Sequence, residues 1–204
     1  MVFADKKAAF LIENGFCERE YAEVQSIFEE LGISSRIISS EVGLLTAWNK
    51  LDDPKNSYWG QKYASDYKLE SVSPSQFDIL VLPGGRRSSE KLQLDKGVKS
   101  FISGFVVSGK PILAYNLAHD VLAFYDLLQT YHISNYQDEK ESNITSKVLA
   151  LHEDGIVKSR NLISLSGYDH DKTVITSYIK AILEGDLSEF DPSPTSIDQG
   201  HKAA

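Results

Sequence analysis

Cysteine is nearly absent from this chain. The 204 residues hold one, Cys17, so no internal disulfide can form. Apolar runs of about 18 residues are also missing, which excludes a membrane-spanning helix on sequence grounds. No signal-peptide pattern precedes Lys6-Lys7. Together these make a cytoplasmic, reducing compartment the expectation. Basic clusters are lacking too, since Arg86-Arg87 is only a pair. With 21 basic against 29 acidic side chains the net charge is −8, which disfavours nucleic acid and anionic membranes as partners. There is no internal repeat, no phosphate-loop or dinucleotide glycine pattern, and no histidine pair at metal-ligand spacing. His119, His132, His152, His170 and His201 are scattered, so neither a metal site nor a cofactor is expected. Asn143-Ile144-Thr145 matches a glycosylation acceptor, which without a secretory signal reads as chance.

What remains is an ordinary globular composition, 42% hydrophobic and 25% charged, enough to build one large core. Residues 8–12 form a continuous apolar run, as a strand buried on both faces requires. After the turn signal Asn14-Gly15, the residues Tyr21, Val24, Ile27, Phe28 and Leu31 recur at helical spacing, and Gly32 supplies a left-handed stop. Residues 33–39 and 42–48 read as strands, 51–57 as a polar loop, and 59–64 with 67–69 as an added β-arm. The strand at 77–82 ends in Pro83-Gly84-Gly85. Asp95 caps a helix carrying Val98, Phe101, Ile102 and Phe105, which Gly109 ends. Residues 131–136 and 147–151 read as strands. Asp154-Gly155 predicts a hairpin between 148–152 and 156–158, followed by a strand at 161–166. Asp171 caps a last helix, stopped by Gly185. The alternation predicts an α/β fold with a mostly parallel sheet, a single domain over residues 1–185 and a mobile tail over 186–204.

Lys110 to Asp120 organises the rest. Residues 112–114 read as a buried strand, and helical spacing runs from Leu117 to Leu128. A strand that turns straight into a helix exposes its turn residue, the geometry of a nucleophile elbow. That residue is Asn116, whose delocalised amide nitrogen is no nucleophile.

Three stretches carry a family resemblance. The first is Ala8-Ala9-Phe10-Leu11-Ile12 with Gly15-Phe16-Cys17-Glu18-Arg19-Glu20. The second is Phe77-Asp78-Ile79-Leu80-Val81-Leu82-Pro83-Gly84-Gly85. The third is Ser108-Gly109-Lys110-Pro111 running into the elbow. With Asp154-Gly155-Ile156-Val157, they resemble the ThiJ/PfpI superfamily, known also as the DJ-one family, over roughly residues 6–184. The resemblance implies a flavodoxin-like three-layer sandwich, like that of class I glutamine amidotransferases, usually assembled as a dimer or higher oligomer. It implies peptidase, chaperone, glyoxalase or deglycase, or hydratase chemistry resting on an elbow cysteine, a following histidine and a glutamate of the first helix. Glu20 matches the glutamate, while Asn116 and Leu117 stand in the other two positions.

The amides of Gly84 or Gly85 with that of Leu117 form a candidate oxyanion-like nest, against the plainer reading of glycines serving a tight turn. Asn116 is a candidate partner of Glu20 or of a ligand, or a helix cap. Cys17 and His119 are possible pocket residues. Arg86-Arg87 could attract an anionic ligand or stand as a solvated pair, and Asp169-His170-Asp171 reads as a solvated cap. Three readings stay open: a homodimeric small-molecule-binding or regulatory protein without cysteine catalysis; an enzyme using Glu20 as acid and base; and a structural oligomer partner joined through the 59–69 arm.

Overall fold

The computed structural model describes residues 3–49, 58–136, 143–189 and 191–192. The loop expected at 51–57 and most of the expected tail lie outside them. In chain order the strands are β1 (Lys7–Leu11), β2 (Ser34–Ser39), β3 (Leu44–Asn49), β4 (Tyr58–Ala64), β5 (Tyr67–Lys68), β6 (Ile79–Leu82), β7 (Ile112–Tyr115), β8 (His132–Ser134), β9 (Ala150–His152), β10 (Ile156–Ser159), β11 (Leu162–Leu165) and β12 (Asp191–Pro192). The helices are α1 (Glu18–Leu31), α2 (Arg86–Leu94), α3 (Lys96–Ser108), α4 (Ala118–Phe124) and α5 (Lys172–Leu183). Eight strands form one sheet in the order β12-β10-β11-β7-β6-β1-β2-β5. The pairs from β5 across to β11 are parallel, and β10 and β12 close one edge antiparallel.

Pleating decides which core each side chain joins. Ala8, Phe10 and Ile12 pack with α1 and α5, while Ala9 and Leu11 pack with α3 and α4. Both faces of β1 are therefore buried, which is why its sequence is apolar without alternation. The result is the three-layer, flavodoxin-like α/β arrangement with a mostly parallel central sheet.

Four expectations are corrected. The hairpin predicted at Asp154-Gly155 does not form, because neither residue adopts the positive φ that a type I′ turn needs. Instead β9 pairs with β8 in parallel, and β10 pairs with β11 through a two-residue turn in which Arg160 has φ 54°. Burying all of β10 and β11 in the main sheet outweighs the local turn signal. The arm is β3 paired with β4, whereas Tyr67-Lys68 extends the main sheet beside β2. The helix after the elbow stops at Phe124, short of Leu128. There Asp126 takes φ 59°, and its amide and that of Leu127 bond back to Ala123 and Leu122, a Schellman-type ending. Finally, the start of the expected tail is docked. Buried Lys158 donates to Ser188 Oγ at 2.6 Å and pairs with Asp186 at 3.3 Å, and β12 lies on β10.

Candidate functional site

β7 delivers the chain to the carboxyl edge of the sheet, and Asn116 makes the turn at φ 42°, a conformation few non-glycine residues tolerate. Its backbone stays in the sheet, with N–H donating to the Leu165 carbonyl at 2.9 Å. Its carboxamide is fully engaged. Nδ2 donates to Glu20 Oε1 at 2.6 Å and to the Gly167 carbonyl at 3.1 Å, and Oδ1 accepts from Gly167 N–H at 2.8 Å. Asn116 thus ties α1, the elbow and the loop after β11 into one floor. It does not cap α4 by its side chain, because Leu117 is the N-cap residue and makes no side-chain bond.

Glu20 is buried in the first turn of α1 and accepts Gly84 N–H at 2.5 Å through Oε2. Burial pushes its carboxyl up to about 7, against the opposing pull of the Asn116, Gly84 and Cys17 contacts. The group is a weak acid poised near neutrality. Burial, together with the neighbouring Glu20 charge, pushes the Cys17 thiol far above its ordinary range, so this sulfur is a poor thiolate source.

The predicted oxyanion-like nest is partly redrawn. The Gly84 amide is already spent on Glu20, and a Cβ at Gly84 would come within 2.9 Å of the Tyr115 carbonyl. Gly85 has φ 107°, and a side chain there would overlap the Gly15 carbonyl. Among the described residues, only the Gly85 and Leu117 amides of the predicted set lack a protein acceptor, and both residues border the cavity. His119 lies beneath the elbow rather than in the pocket. It is fully buried, its Nδ1 donates to the Asn116 carbonyl at 2.7 Å, and its Nε2 accepts from Ser164 Oγ at 2.7 Å. Burial lowers it to about 4, so it is a neutral imidazole supporting the turn.

A cavity of about 460 Å³ opens above this floor. Cys17, Glu20, Asn116, Leu117 and Gly85 form its base, and Trp48, Trp59, Tyr168, Arg86 and Arg87 form its walls and mouth. The arm supplies both tryptophans, whose rings meet edge to face at 5.0 Å. Glu18 holds the arm in place by bonding Asn49 and Tyr63 Oη, the latter at 2.9 Å.

Sequence reasoning missed the buried pair behind the floor. Glu23 accepts Tyr115 Oη at 2.8 Å and His170 N–H at 2.6 Å, and lies 3.3 Å from His170 Nδ1. Burial works against both charges, but their mutual attraction wins, lowering Glu23 and raising His170. Of the triplet read as a solvated cap, only Asp171 caps, accepting from Thr173 N–H at 2.8 Å. A carboxylate one helical turn after Glu20 was the available signal for Glu23, but its partner lies 147 residues away. No group of three or more ligating side chains that could hold a metal occurs among the described residues. No helix there is long and apolar enough to cross a membrane.

A family model described as the DJ-1/PfpI family matches residues 6–181. Among curated relatives, YraA of Bacillus subtilis, whose name proposes a cysteine protease, is 29% identical over 78% of this chain and 88% of its own length. Protein/nucleic acid deglycase 2 of Escherichia coli is 30% identical over 53% of this chain and 58% of its own. Among solved structures, a two-domain Anabaena variabilis protein with DJ-1/ThiJ/PfpI-like and ferritin-like domains superposes with a TM-score of 0.71 at 21% identity. That match covers 90% of this chain, which spans half the length of the two-domain protein.

Proposed function

Since this chain belongs to the DJ-1/PfpI family and carries asparagine at the elbow, we propose that it binds a small molecule in the elbow cavity without cysteine-nucleophile catalysis. The observation that carries this reading is the engagement of Asn116, whose amide nitrogen and oxygen are both bonded within the protein. The side chain at the point of attack is a crosslink. The one cysteine nearby, Cys17, is held as a thiol, so it supplies no replacement nucleophile. The peptidase and deglycase names of the relatives describe chemistry that the resemblance rests on an elbow sulfur. This chain keeps the frame around that position and a regulatory or sensing role fits it, in a cytoplasmic setting.

Purified protein assayed with methylglyoxal, a glycated amino acid and a peptide substrate tests the reading. No turnover attributable to the elbow is expected. Turnover that Asn116→Ala abolishes would overturn it.

A second reading is favoured by Glu20, poised at about 7 beside the unpaired amides of Gly85 and Leu117. A buried acid of that strength moves protons near neutrality, and two amides can hold a developing oxyanion. On this reading the protein turns over a substrate by proton transfer, and a discovered activity that survives Glu20→Gln unchanged would sink it. Assembly as a homodimer is also part of the proposal. Leu44, Tyr58 and Trp59 of the arm and Tyr67 at the sheet edge are exposed and apolar enough to form a contact. Light scattering of the Leu44→Glu, Tyr58→Glu double variant checks this, with a halved mass expected.

A further inference from the structure

The mouth of the elbow cavity collects charge of one sign in a chain of the other. Of the five arginines in this acidic protein, three stand here: Arg86 and Arg87 line the cavity, and Arg19 lies against its wall. Each of two aromatic walls carries a guanidinium on its face. Arg87 sits 5.0 Å from the centroid of Trp59, and Arg19 sits 4.6 Å from that of Tyr168. Among the described residues neither Arg19 nor Arg87 has a carboxylate within 4.0 Å. A guanidinium stacked on a ring keeps its in-plane N–H groups free, which is the arrangement that receives a carboxylate. The two tryptophans meet edge to face and both line the cavity, with Trp59 47% exposed and Trp48 partly buried. Such exposure of large aromatic surface around a concavity marks a site that an apolar body would cover.

We propose that this cavity binds a small flat organic monocarboxylate. Its aromatic or conjugated body lies against the aromatic wall of Trp48, Trp59 and Tyr168, and its carboxylate lies at the arginine mouth. This rests on the binding reading above and names the ligand class of that site. The floor discriminates by charge number. Glu20 stands in that floor, and Glu18, which holds the arm, adds a second carboxylate on the same first turn of α1, so a doubly charged phosphate meets more repulsion than a single carboxylate. The floor also offers the Gly85 and Leu117 amides to a neutral polar substituent at the far end of the ligand.

The chain reports on this site by itself, because Trp48 and Trp59 are its only two tryptophans. Intrinsic fluorescence titrations with benzoate, benzamide, cyclohexanecarboxylate and phenyl phosphate, repeated by calorimetry at low and high salt, test the class. Benzoate is expected to quench saturably and to bind about tenfold more tightly than each of the other three. That preference should shrink in high salt, because the guanidiniums are exposed. In the Arg19→Gln, Arg87→Gln double variant, checked for folding by circular dichroism, benzoate should fall to the benzamide level while benzamide binding holds.

Equal binding of benzoate and benzamide overturns the anion. Equal binding of benzoate and cyclohexanecarboxylate overturns the flat body. Tighter binding of phenyl phosphate overturns the single charge, and no binding of any of the four overturns the class altogether. These failures leave the noncovalent reading standing, whereas aldehyde turnover lost in Asn116→Ala defeats that reading whatever the titrations give.

Discussion

Residue 20 places a buried carboxyl group at the base of the cavity, held by two N–H donors. Its folded pKa of about 7 lies above the ordinary 4.5, so the folded state binds the proton more tightly than the unfolded state does. The linkage sign follows: stability falls as pH rises from 4.5 through 7 and is level above that. At ~1.4 kcal/mol per pH unit, the loss by pH 8 is about 3 kcal/mol. Thermal melts of wild type and Glu20→Gln between pH 5 and 8 are expected to lie close together at the acid end, where the amide resembles the protonated carboxyl, and to separate toward pH 8, the variant showing little of the slope. Asn116→Asp should behave in the opposite way to a harmless isostere. It sets an acid 2.6 Å from Glu20 and turns an acceptor toward the Gly167 carbonyl. A loss of about 3–5 kcal/mol at pH 8, less than half of that at pH 5, is expected in denaturant titrations. Cys17 should label with iodoacetamide at pH 7.5 about a hundredfold more slowly in the folded protein than in urea, since its thiolate is suppressed. Asn116 could be picked out from the sequence because it sits at a strand-to-helix bend, and Glu20 because it falls where the family resemblance implies a glutamate. The Glu23–His170 pair could not, because nothing local joins residues so far apart in the chain.

Among the elements, the β3–β4 arm shows what pattern alone cannot give. Its residues read as strands, but the partner of β4 follows from Glu18, which reaches from α1 to bond Asn49, Tyr63 and the Gln61 amide. Gly60 leaves room for that carboxylate, and a Cβ there would run into Glu18 Oε2. Gly60→Ala is expected to cost about 2 kcal/mol and to speed limited proteolysis within the arm, with the main sheet intact by circular dichroism. β1, β6 and β7 were the readable elements, because strands buried on both faces announce themselves as unbroken apolar runs. β10 was readable as a strand but not in its pairing. Choosing between β9 and β11 depends on which edge of the sheet is still open, a property of the assembled sheet.

For the molecule as a whole, one edge of the sheet is finished by a short piece of chain after the last helix. β12 covers β10, and Asp186 and Ser188 attend the ammonium of Lys158, which is buried in the sheet. Ending the chain after Gly185 would leave that cation without either partner. A drop of about 3–5 kcal/mol is expected in urea titrations, with Lys158→Met recovering most of it. That the composition called for a tail here is intelligible, since two prolines and many small polar residues carry no hydrophobic pattern; the docking depends on a lysine near the middle of a strand far from it.

β12 is two residues long and ends in Pro192, which has no N–H to offer a neighbour. The rim of the sheet on that side is thereby a poor template for another chain. A molecule trimmed of it would expose four residues of β10 as an open row of donors and acceptors, and the first sign of the damage in a concentrated solution would be clouding rather than melting.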